Sequence, residues 1–150
     1  MMSKKINFNI MSTTIKTIAL IFITLNAFIF SSCDKNDDAV PKPVINILEL
    51  GKDNSRVAYI GKDLHIEAEI KAEGKIDFIT VEIHMEEGEH EEIMVRFDDY
   101  ADLKSTTFHE HLEIPAETEE GDYHFHLTVT DQEGNQTTVE DEISIEVPTE

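Results

Sequence analysis

The chain has 150 residues, 32 acidic and 12 basic, a formal charge of −20, seven histidines and one cysteine. That sign of charge excludes nucleic acid as a partner, since phosphate calls for basic residues. It equally excludes an electrostatic hold on anionic lipid, and a single cysteine excludes an internal disulfide.

The first predicted element is a leader. Lys4, Lys5 and Lys16 precede Ile18 to Phe30, 13 residues interrupted only by Thr24 and Asn26, and Phe30-Ser31-Ser32-Cys33 follows. A membrane-spanning helix needs about 20 apolar residues, whereas a basic start, a shorter apolar run and small residues at a cut describe an export signal. A cysteine at the cut makes it a lipoprotein signal. Residues 1–32 are then removed, and lipid on Cys33 supplies the membrane contact. Phe30 stands where such signals usually carry Leu, and Met11 is an alternative start. Every acidic residue lies at or beyond Asp34, so nine basic residues face 32 acidic ones in the mature chain, a formal charge of −23.

Residues 33–42 read as a polar tether, Asp34-Lys35-Asn36-Asp37-Asp38 running into Pro41-Lys42-Pro43. The acidic patch resembles the surface-export signal of Bacteroidetes-type lipoproteins. That resemblance implies a lipid-anchored protein on the outer face of the outer membrane.

From residue 43 to 148 the chain alternates with period 2, the mark of half-buried strands. Leu64, Ile66, Ala68 and Ile70 alternate with His65, Glu67 and Glu69. The same pattern runs through Ile79 to Met85, Tyr123 to Thr130 and Ile143 to Val147. Turn residues separate the runs, among them Gly61-Lys62-Asp63, Glu73-Gly74-Lys75 and Asp131 to Asn135. The expected strands are 43–50, 63–71, 76–86, 91–97, 106–114, 121–130 and 136–147. Seven to eight short strands predict an all-β, immunoglobulin-like antiparallel β-sandwich. Tyr123 is a candidate for a corner hydrogen bond at the start of its strand. Parity turns Glu110 inward beside Phe108 and Leu112, which requires either an open end of the sandwich or a bulge.

Gly121-Asp122-Tyr123 followed by Asp131-Gln132-Glu133-Gly134-Asn135 resembles the last hairpin of bacterial immunoglobulin-like domains. Leu64-His65-Ile66-Glu67-Ala68-Glu69, Phe108-His109-Glu110-His111 and the strand from Tyr123 to Asp131 are similar to an uncharacterised Bacteroidetes lipoprotein family. The resemblance implies the fold and the surface location, and no activity.

Six of the seven histidines fall on outward strand positions, with His90 in a turn-like stretch. Sandwich topology places His65 with His109 and His111 on one outer face, and His84 with His124 and His126 on the other. A His-x-His pair on a strand sends two rings from one face, and a cross-strand neighbour stands about 5 Å away. Three such nitrogens, with water or a carboxylate such as Glu82 or Glu113, suit zinc or copper(II). The same histidines also serve as solvated ion pairs on an acidic surface, and strand register decides between the two.

The acidic stretch from His84 to Met94 reads as a solvated hairpin. Asp98, Asp99 and Asp102 lack a calcium-loop pattern. No nucleophile elbow or phosphate-cradling glycine loop is present, and a flat sheet face offers no cleft, so a non-enzyme is expected. Two roles remain: capture of a divalent transition metal, or a non-catalytic module that meets an envelope protein or glycan.

Overall fold

The computed structural model describes residues 39–85 and 92–149. The leader, Cys33, the first part of the tether and His90 lie outside the described residues. The chain from Ala39 onward forms one unit. Its described residues hold eight strands: β1 Val44–Leu50, β2 Val57–Tyr59, β3 Asp63–Lys71, β4 Ile76–Met85, β5 Ile93–Phe97, β6 Ser105–Glu113, β7 Gly121–Asp131 and β8 Gln136–Glu146.

The strands form two sheets, β1-β3-β6 and β2-β8-β7-β4-β5. The expected division holds: β3 pairs with β6, and β4 pairs with β7. All the pairings are antiparallel except that of β2 with β8. The chain therefore leaves the smaller sheet after β1 and joins the edge of the larger one. Gly51 at φ 73 begins that crossing, and Asp53, Asn54 and Arg56 share its positive φ. A side chain at Gly51 would press on the Val57 backbone.

Alternation puts one face of each sheet into a common core. Leu64, Ile66, Ala68 and Ile70 of β3 and Phe108 and Leu112 of β6 face Ile79, Val81 and Ile83 of β4 and Phe125, Leu127 and Val129 of β7. Burying each large side chain contributes about 1.5–3 kcal/mol. Phe108 is fully buried, with the rings of Phe97 and Tyr100 against it at 5.1 and 5.2 Å.

Glu110 keeps its inward parity without a bulge, since the β3–β6 register runs unbroken from Asp63↔Glu113 to Lys71↔Ser105. It is half-buried, and its Oε1 accepts the Tyr100 hydroxyl at 2.6 Å. Burial, and then this bond, push the Tyr100 phenol up to about 12. The Tyr123 corner is also present: its hydroxyl donates to the Glu119 carbonyl at 2.8 Å.

At the opposite end, the buried Asp131 carboxylate organises the β7–β8 turn by accepting the Glu133 and Asn135 amides. This turn also clasps the entering chain. Thr137 Oγ1 donates to the Pro43 carbonyl at 2.6 Å, and Asn135 Nδ2 donates to the Val40 carbonyl at 3.4 Å.

Candidate functional site

Each outer face carries one triangle of histidines, and the two triangles share a plan. On the smaller sheet His65 lies opposite His111, and Glu67 lies opposite His109. On the larger sheet His84 lies opposite His124, and Glu82 lies opposite His126. Residues directly opposite in a sheet share a face, so register brings both predicted trios together. What the rings do there differs.

On the smaller sheet the trio closes. Ring centroids stand 4.9 Å apart for His65–His109, 5.0 Å for His65–His111 and 5.6 Å for His109–His111. One nitrogen from each ring lies within 4.8 Å of the other two. A tetrahedral ion with bonds of about 2.0–2.1 Å holds its donors about 3.3 Å apart. His109 and His111 are exposed, so side-chain rotation alone can close that difference.

Two carboxylates flank the trio. Glu49 Oε2 and Glu67 Oε2 lie 3.7 and 4.0 Å from His65 Nε2, and these three residues form a second donor group sharing His65. Glu49 is the residue that sequence reasoning missed. Strict alternation from Ile45 and Ile47 would turn it inward, but the β1–β3 register shifts between Ile47 and Glu49. The shift sends Leu50 into the core and lines Glu49 up with Glu67. Its Oε1 accepts the Asp53 amide at 2.8 Å, which fixes the carboxylate. The only sequence signal for this was the out-of-phase pair Leu48 and Leu50. Glu113, expected as a carboxylate donor, pairs with Asp63 at the strand end and joins neither group.

The face is not flat, contrary to expectation. His65, His109 and His111 line a shallow depression of about 750 Å³ with Lys52, Val57 and Tyr59. It forms where the β1–β2 crossing stands beside β3.

On the larger sheet His84 and His126 touch, Nε2 to Nε2 at 3.1 Å. His124 stands off, with ring centroids 5.3 Å from His84 and 6.3 Å from His126. Among the described residues, these three do not form a group whose donor atoms all lie within reach of one ion. Glu82 lies 3.8 Å from His84 Nε2, and Glu140 lies 3.6 Å from His126 Nδ1.

Elsewhere, Arg56 and Asp141 form an ion pair at 3.0 Å in which the arginine bond holds the carboxyl below its ordinary range. Asp98 pairs with Arg96, and Asp102 with Lys75 and Gln132, so both serve the loops.

Residues 31–146 match the model of a family described as a domain of unknown function, DUF4625. No curated protein matches the sequence. Among solved structures, the chain is similar to Spo0M, a sporulation control protein from Bacillus subtilis, at 14% identity and a TM-score of 0.52. That match covers 73% of this chain and about half, 51%, of the other, and it shows a shared fold alone. The PKD1 domain of Vibrio anguillarum Epp is 21% identical at a TM-score of 0.39, covering 73% of this chain and 100% of that one. A CARDB domain from Pyrococcus furiosus, solved in complex with di-metal ions, is 18% identical at a TM-score of 0.37, covering 71% and 90%.

Proposed function

The chain belongs to the DUF4625 family of unknown function, and we propose that it is a lipid-anchored envelope domain that captures zinc or copper(II) through His65, His109 and His111. One observation carries the reading: three imidazoles from two adjacent strands bring a nitrogen each within 4.8 Å of the others. Nitrogen donors of this kind favour zinc and copper over magnesium or calcium. Glu49 and Glu67 stand ready to orient His65 and to offset the charge of the ion. The strongly acidic surface raises the local concentration of cations.

Anchoring rests on the leader and Cys33, and the acidic tether supports the outer face of the outer membrane. Lipid labelling that is lost in Cys33→Ala, with protease access to the domain on intact cells, tests this part.

The metal reading is tested by calorimetric titration of the full chain in detergent with zinc and with copper(II). Micromolar or tighter binding that disappears in His109→Ala/His111→Ala supports it. Millimolar binding indifferent to that change leaves the second reading, a module for an envelope protein or glycan. The depression beside the histidines favours that alternative, since Tyr59, Val57 and Lys52 offer an aromatic, an apolar and a cationic contact.

A further inference from the structure

The histidines of the larger sheet hold a different chemistry. His84 on β4 and His126 on β7 meet through Nε2 at 3.1 Å, with ring planes within 10° and centroids 5.1 Å apart. The centroids are 2 Å farther apart than the touching nitrogens, as expected for rings meeting end to end rather than lying face on face.

Their outer nitrogens are already provided for. His84 Nδ1 lies 3.2 Å from the Met85 carbonyl, and His126 Nδ1 lies 3.6 Å from Glu140 Oε1. A metal-binding imidazole ordinarily donates its second N–H to just such a carbonyl or carboxylate. With both Nδ1 atoms protonated, both Nε2 lone pairs aim at one point.

Without metal, a proton on one Nε2 joins the pair. An ion takes its place when that proton leaves to solvent, and each Nδ1 keeps its own N–H. A two-coordinate ion needs its nitrogens about 4 Å apart, two bonds of about 2 Å. The pair therefore opens by a little under 1 Å.

Two imidazoles do not satisfy zinc, which takes four ligands, and Glu82, with Oε1 3.8 Å from His84 Nε2, would bring the set only to three. The two imidazoles do satisfy copper(I), a monovalent ion that accepts linear two-fold coordination. Met94 strengthens the choice. It is 60% exposed and lies directly opposite Glu82 on the same face, diagonal to His84 across β4 and β5. A thioether in that position is a soft donor that favours copper(I).

We propose that His84 and His126 form a two-coordinate copper(I) site, with the Met94 thioether as an additional soft donor. The site is independent of the His65 trio and stands whether or not the trio binds metal.

The test is an anaerobic competition between the full chain in detergent and bicinchoninate for copper(I), with ascorbate present and folding of each variant checked by circular dichroism. The chain carrying His109→Ala/His111→Ala, which removes the trio, is expected to retain one ion that an added His126→Gln releases, with affinity falling about 100-fold, and that an added Met94→Leu weakens about tenfold. X-ray absorption is expected to show two short nitrogen ligands. Failure of the folded His109→Ala/His111→Ala chain to retain copper(I), or retention unchanged when His126→Gln is added to it, overturns the proposal. Zinc held equally tightly by the same pair overturns the assignment of the ion.

Discussion

Glu49 meets His65, Oε2 to Nε2 at 3.7 Å, because the β1–β3 ladder slips just before it. A regular strand would have pointed this carboxylate into the core, where an unpaired charge is costly. The slip turns a liability into a partner for the histidine trio. With three histidines as the ligands, Glu49→Gln is expected to weaken zinc about tenfold. Glu113→Gln is expected to leave it unchanged. Calorimetric titration of the two variants side by side checks both statements.

The Tyr100–Glu110 bond gives a pH signature. The phenol titrates at about 12 in the folded chain, above the ordinary value of 10.0. A raised folded value means the stabilisation is complete below about pH 10 and is lost as pH climbs towards 12. A spectrophotometric phenol titration is expected to show a step near pH 12 that is missing in Tyr100→Phe. That variant is also expected to lose about 1–2 kcal/mol at neutral pH, because Glu110 keeps its place and loses its donor.

At the acid end the sign reverses. Arg56 holds the Asp141 carboxyl below its ordinary range, chiefly through their hydrogen bond. Stability from this pair is present above the ordinary carboxylate pKa and disappears as pH falls through the lowered folded value. Thermal melts from about pH 5 to 2 are expected to show a shallower acid loss in Arg56→Ala than in the wild type.

Phe108 has little room to adjust. It is fully buried between Phe97 and Tyr100, so Phe108→Ala is expected to cost about 3–5 kcal/mol. Urea unfolding followed by circular dichroism measures it. A loss below about 1 kcal/mol would show that the site collapses around the gap.

Alternation made the two-sheet fold legible from sequence, because period 2 decides which side chains are buried wherever one face of a strand meets the core. It correctly grouped β3 with β6 and β4 with β7, and with them the histidines. The three residues of β2 are too few to show a period, so the crossing between sheets stayed hidden. The slip beside Leu48 was equally invisible, and it supplies Glu49. Nor did spacing distinguish the two triangles, whose registers match. The difference lies in their surroundings: β6 is an edge strand whose rings have room to converge, while β7 is flanked by β8, and His126 there meets His84 through Nε2 instead of turning towards His124.

Thr137 and Asn135 grip the incoming backbone beside the β7–β8 turn, where β1 begins opposite Lys71. His65 lies six residues farther along β3, about 20 Å at the rise of a strand. The described chain is therefore held from Val40 onward at one end of the sandwich, and the His65 trio lies on an outer face nearer the other end.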